Sequence, residues 1–198
     1  MENQNHAFNY AYLLKQVKAR VLLAQKKAIY TANEEMLSMY WDIGKLLSES
    51  QKQIGWGNNA LEKLANDLKN DYPEMKGFSV RNCQFMIQFY NEYNQQLTNT
   101  KRAVSYLNNN EIVLPVSKLG WSHNITLMQR TKDIKARYWY MIQCLKNGWS
   151  RDFLIEAIKQ DYYHSHGALA SNFDTTLPEI QAKQVKETLK DPYIFDML

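Results

Sequence analysis

Leu61-Glu62-Lys63-Leu64-Ala65-Asn66-Asp67-Leu68, then Tyr72-Pro73-Glu74-Met75-Lys76-Gly77-Phe78-Ser79, then Val80-Arg81-Asn82-Cys83-Gln84-Phe85-Met86-Ile87-Gln88-Phe89-Tyr90 is the stretch that decides the fold. Leu61, Leu64, Ala65, Leu68 and Tyr72 recur at helical spacing, and Asn58 or Asn59 can cap that helix. Pro73 stops it. Ser79 is placed to cap a second helix, Val80–Tyr93, with Phe78 before the cap packing forward as a staple. Val80, Cys83, Met86, Ile87 and Tyr90 fall on one side of it. Arg81, Gln84, Gln88 and Asn91 fall on another, within about 80° at 100° per residue. Arg, Gln and Asn are the side chains that form paired hydrogen bonds to base edges in a major groove. A helix, a turn and a second helix with such a face fit a loose helix-turn-helix. They fit equally an ordinary helical hairpin whose polar face meets water.

The elements on either side are also helical. Leu13, Leu14, Val17, Val21, Ala24 and Ala28 mark an amphipathic helix from about Phe8 to Tyr30. Met36, Leu37, Tyr40, Trp41, Gly44 and Leu47 mark another from near Asn33 to Gln53. Gly44 inside that stripe costs about 1 kcal/mol relative to Ala, and a close helix crossing would explain its presence. Residues 97–110 read as an exposed polar loop, and Ile112–Val116 as a brief edge strand or one side of a wing, limited by Pro115. Gly120-Trp121-Ser122 and Gly148-Trp149-Ser150 repeat the start signal of Gly77-Phe78-Ser79, with the aromatic as staple and Ser as cap. A last helix is expected from about Glu179 to Leu189.

The chain has 198 residues, 45% of them hydrophobic and 13% aromatic, with only 7 Gly and 4 Pro. Disordered chains lack this apolar content. The scarcity of breakers favours long helices over many short strands. The fold class expected is therefore mainly α, helix-turn-helix or winged-helix-like, with at most a small β element. It is read as a single domain over 1–198, or as a helix-turn-helix half over 1–96 and a second helical half over 111–198. No run approaches the roughly 20 apolar residues that span a bilayer. The N-terminus lacks the apolar core of a signal peptide. Cys83 and Cys144 each sit in an apolar helical pattern, as buried thiols do in a reducing compartment. A cytoplasmic protein without membrane contact is expected.

Net charge is +4, and its distribution matters more than its size. There is no acid between Asn3 and Asn33, where Lys15, Lys18, Arg20, Lys26 and Lys27 border the apolar stripe. These are either snorkelling lysines on a solvated face or phosphate contacts. Arg130, Lys132, Lys135 and Arg137 surround the consecutive aromatics Tyr138-Trp139-Tyr140, of which at least one must face away from the core. That makes a second candidate surface for nucleic acid.

Signals for chemistry are weak. Glu74-Met75-Lys76 has an E-x-K spacing found in metal-dependent nucleases, but it falls in a turn, without the sheet such enzymes use. His164-Ser165-His166 has no Cys nearby and reads as a surface feature beside Asp161 rather than a metal site. No Gly-rich phosphate loop is present. No catalytic residue, metal or cofactor is expected.

The ordered series Tyr40-Trp41-Asp42-Ile43-Gly44-Lys45, Gly55-Trp56-Gly57, Leu64-Ala65-Asn66-Asp67-Leu68, Gly77-Phe78-Ser79-Val80-Arg81-Asn82, Trp121-Ser122-His123, Gly148-Trp149-Ser150-Arg151, Asn172-Phe173, Leu177-Pro178 and Asp191-Pro192-Tyr193-Ile194-Phe195-Asp196 resembles the N-terminal domain of the YhcG-like family of bacterial proteins. The likeness runs from about Leu13 to Leu198. In that family a nuclease domain of the PD-(D/E)XK class follows, and the N-terminal part is regarded as a winged-helix-like DNA-binding region. The resemblance implies that this chain is the recognition half, with the nuclease beginning past Leu198 or supplied separately. His123 follows the cap position Ser122, where its side chain can meet a phosphate or simply water; the resemblance favours a role for it, either functional or in capping.

The expected function is thus duplex DNA binding that targets a nuclease. Arg81, Gln84, Gln88 and Asn91 would face the bases, and Lys15, Lys18, Lys26, His123, Arg130, Lys135 and Arg151 the phosphates. The rival is a protein-interaction or dimerisation module, with an exposed apolar patch around Tyr193, Ile194 and Phe195. A complete enzyme is the third and weakest reading.

Overall fold

The computed structural model describes residues 2–54, 58–98, 115–167, 187–188 and 190–194. Its helices are α1 (Glu2–Ile54), α2 (Asn58–Asp71), α3 (Val80–Thr98), α4 (Trp121–Arg130), α5 (Ile134–Asn147) and α6 (Arg151–Lys159). Short 3-10 turns at Lys76–Phe78 and Val116–Lys118 and a π turn at Tyr163–Gly167 lie between and after them. Among the described residues there is no strand, so the architecture is mainly α.

The expected break between two N-terminal helices does not exist. One helix runs through Thr31-Ala32-Asn33. Asn33 does not cap a helix start. It is buried, and its Nδ2 donates to the carbonyls of Ser117 (2.9 Å) and Leu119 (3.1 Å). Asn124 holds the same segment from the other side, donating to Val116 and Gly120. Lys118 pairs with Glu34. The segment after Pro115 is thereby folded into a turn; Ile112–Leu114 of the expected strand lie outside the described residues.

The two longest helices meet at Gly44. A methyl built there would overlap the carbonyl oxygen of Met86 and stand 2.6 Å from its carbon. The missing side chain lets α1 approach the backbone of α3. Aromatic edges close the crossing: Trp41 meets Phe89 at 5.5 Å and Tyr90 at 5.2 Å between ring centres.

Below the crossing lies one core that draws on residues from both halves of the chain. Its centre is Trp121, wholly buried against Tyr40 and Phe89. The indole N–H donates to Asn82 Oδ1 at 2.7 Å, and Asn82 Nδ2 donates to the Gly77 carbonyl at 2.6 Å. This chain of bonds ties the turn before α3 to the start of α4. Cys83 and Cys144 are buried thiols, and desolvation pushes both up from the ordinary value.

Most of the expected capping is present. The Ser79 hydroxyl accepts from the N–H of Asn82, and that of Ser150 from Phe153. Trp149 packs on the first turn of α6, meeting the tilted Phe153 ring at 4.9 Å between centres. Gly148 ends α5 with a φ of 59°, a conformation that favours glycine. The start of α4 differs. Ser122 lies inside the helix, and its N–H donates to Asp191 Oδ2 at 2.7 Å. A carboxylate from far along the chain replaces the local cap.

His123 sits in the first turn of α4 and is 2% exposed. Its Nε2 lies 2.9 Å from the Trp149 carbonyl, an acceptor only, so that nitrogen carries the proton. Burial pushes the imidazole below its ordinary value, and the bond to Trp149 opposes this only in part.

Two consequences can be measured. Gly44→Ala adds overpacking of up to about 3 kcal/mol against a gain of about 1 kcal/mol in helix propensity. A net loss near 2 kcal/mol is expected in denaturant unfolding, and an unchanged midpoint would contradict the close crossing. For His123, the unfolded chain takes up a proton near pH 6.5 while the folded chain resists it. Its contribution to stability is therefore full above about pH 6.5 and lost as the pH falls below that value. Thermal melting of the wild type should fall more steeply between pH 7.5 and 5.5 than that of His123→Gln. Parallel curves would refute it.

Candidate nucleic-acid interface

The first turn of α3, the body of α4 and the start of α6 enclose a groove of about 340 Å³. Ser79 caps α3 and places Arg81 in its first turn, exposed, with the guanidinium 5.5 Å over the Phe85 ring. Arg130 ends α4 and is exposed. Ser150 caps α6 and places Arg151 as its first residue. All three arginines line the groove, and none of its lining residues is acidic. Arg151 also bonds the exposed carboxylate of its neighbour Asp152 at 3.1 Å, a contact that a stronger anion can displace.

The helix ends add to this field. The N-termini of α3 and α6 carry partial positive charge and favour anions nearby. That of α4 is already served, because Asp191 accepts from Ser122. Arginine forks match phosphate oxygens in a two-point geometry that lysine lacks. The arrangement suits an extended polyanion laid across the N-termini of α3 and α6 and past Arg130.

The other expected contacts are distributed unevenly. Gln84 is exposed, one turn from Arg81. Gln88 is half-buried and donates to Glu92 at 2.6 Å, and Asn91 accepts from Ser48 of α1 at 2.7 Å. The polar face of α3 thus narrows to its N-terminal turns, the part of a recognition helix that reaches base edges. Lys15 and Lys18 are exposed and Lys26 half-buried on α1, and Lys135 is exposed at the start of α5; none of them lines the groove. His123 is corrected outright: buried and bonded to Trp149, it cannot meet a phosphate.

The second surface around Tyr138-Trp139-Tyr140 keeps the exposed cations Arg130, Lys132 and Lys135 but loses Arg137 and two of its three aromatics. Arg137 is 4% exposed, paired with Glu92 at 2.5 Å and bonded to the carbonyls of Thr131 and Met128. Tyr138 and Tyr140 are buried. Trp139 is half-buried in a group with Trp149 and Tyr163. The patch at Tyr193 and Ile194 is likewise not exposed: Ile194 is fully buried and Tyr193 packs against Tyr40. Phe195 lies outside the described residues.

His164 lies at the surface beside Asp161, as expected. Among the described residues no group of His, Cys, Asp and Glu is placed to hold a metal ion. Nor is any helix there long and apolar enough to cross a membrane. Gln129 and Tyr193, which also line the groove, carried no sequence signal for it, since they reach it only through the packing of α4 and the C-terminal segment.

A family model for the DUF1016 N-terminal domain matches residues 16–165, and the chain belongs to that family. No curated protein and no solved structure matches the chain.

Proposed function

We propose that this member of the DUF1016 N-terminal domain family binds duplex DNA in the groove between α3, α4 and α6, performs no chemistry itself, and so positions a nuclease of the PD-(D/E)XK class, attached or separate. The observation that carries the reading is the convergence of Arg81, Arg130 and Arg151, from three helices, on one groove without a lining carboxylate. Arg81 and Gln84 are the residues that reach the bases. Arg130 and Arg151 hold phosphates, and the α1 lysines, with Lys135, add attraction at longer range. A loose helix-turn-helix of α2 and α3 is the frame, with Lys76–Phe78 as part of its connection. The cytoplasm, where buried free thiols persist, is the compartment proposed.

The test is binding to a labelled duplex across a salt series. Each phosphate contact contributes about 0.9 to the slope of log affinity against log salt. Arg81→Ala/Arg130→Ala/Arg151→Ala should weaken binding and flatten that slope by about 2 to 3. An unchanged slope would remove the groove from the interface. No binding of the wild type at low salt would remove DNA altogether.

A further inference from the structure

The N-terminal part of α1 stands clear of the core. Ile29 is the first residue of the helix that is buried, among the side chains described from Tyr10 onward. Before it, Tyr10 is 66% exposed, Val17 50%, Val21 51% and Leu23 59%. A helical stretch of this length without packing is only marginally stable in water.

Tyr10, Leu14, Val17, Val21, Ala24 and Ala28 are spaced by alternating steps of four and three, the heptad seam of a coiled coil. All six are exposed. The residues that α1 buries in the core, Ile29, Met36, Leu37, Tyr40 and Leu47, lie on a face turned by roughly 80° to 180° from that seam. The seam is therefore not the outer end of the face that packs on α3. It is a second face with its own register.

We propose that this seam pairs with the same seam of a second copy of the chain, parallel and in register, as a two-stranded coiled coil. Symmetry matches the length and spacing of the two stripes automatically. No charge occupies a seam position. The cations nearest to it are Lys18, Arg20 and Lys27, and charge selects the direction. In the parallel arrangement the flanking pairs across the interface are Leu13 with Lys18, Arg20 with Gln25 and Lys27 with Ala32, so no cation faces a cation. The antiparallel arrangement that aligns all six seam positions would set Lys18 against Lys18 and Arg20 against Arg20. Ala24 and Ala28, nearest the core, let the two backbones approach closely there. Lys15 and Lys26 stay outside the seam.

Sedimentation of the whole chain over a micromolar concentration series tests this. The expected particle has twice the mass of the 23.3 kDa chain. Val17→Glu/Val21→Glu, two exposed changes, should weaken self-association at least roughly tenfold, with the near-ultraviolet signal of buried Trp121 unchanged. Leu14→Cys should cross-link to itself under mild oxidation, because parallel pairing sets Leu14 beside Leu14. A monomer at every concentration would overturn the proposal, and would point to an acidic partner helix or to another segment of this chain as the cover. A dimer indifferent to the two glutamates, or one in which Leu14→Cys cross-links only to Ala24→Cys, would overturn it too. A trimer or tetramer would rule out the two-stranded form and draw Leu13, which flanks the seam, further into the interface.

Discussion

The crossing of α1 and α3 at Gly44 sets the separation of the two longest helices, and the rest of the packing follows from that separation. With a hydrogen in place of a side chain, α1 rests against the carbonyl of Met86. At that distance Trp41 reaches Phe89 and Tyr90 edge-on, and Tyr40 reaches Trp121 at 5.0 Å. Each contact is one of the geometries in which aromatic quadrupoles attract. A wider crossing would open a gap beside Trp121, and close-packed interiors do not tolerate such gaps cheaply. The crossing also consumes most of the circumference of α3. Its first turns keep two exposed polar side chains, Arg81 and Gln84.

A short run of polar bonds converts this packing into a groove. Asn82 joins the Gly77 carbonyl to the Trp121 indole and so fixes the start of α4 against the start of α3. Asp191 then takes the Ser122 N–H and brings the C-terminal segment against the same edge. A Cβ on Gly120 would stand 2.6 Å from the Asp191 carboxylate, so glycine there keeps room for it. These bonds are buried or partly buried, where an unmet partner is costly, which makes their geometry specific. Arg81 is placed by the start of α3 that these bonds hold, and Arg130 at the far end of α4 and Arg151 at the start of α6 complete the groove.

Arg137 illustrates the opposite fate for a cation. It leaves solvent, pairs with Glu92, lies 5.5 Å over the Tyr93 ring and satisfies two backbone carbonyls at the end of α4. Burial pushes the Tyr93 phenol up to about 12, with Arg137 pulling the other way. A cation so enclosed organises the α3–α5 contact and has no charge left to offer a ligand. Charge count along a segment therefore overstates its capacity to bind an anion.

Local signals in the sequence determined the helices and most of their ends. Ser79 and Ser150 cap where their spacing indicated, Gly148 closes α5, and Gly44 marks the close crossing that its place in an apolar stripe suggested. These features act over one or two turns, so neighbouring residues suffice to specify them. The order of motifs was enough to indicate the family. Tertiary structure alone decided the rest. Asn33 marks the expected start of a second helix but lies inside α1 and serves a turn some 84 residues away, and the α1 stripe changes face at Ile29 rather than ending. His123 and Arg137 look like surface cations and are buried. Nothing in the spacing of Arg81, Arg130 and Arg151 shows that they share a groove. The physical reason is range: capping and periodicity are properties of contiguous backbone, whereas burial and convergence depend on which distant surface arrives.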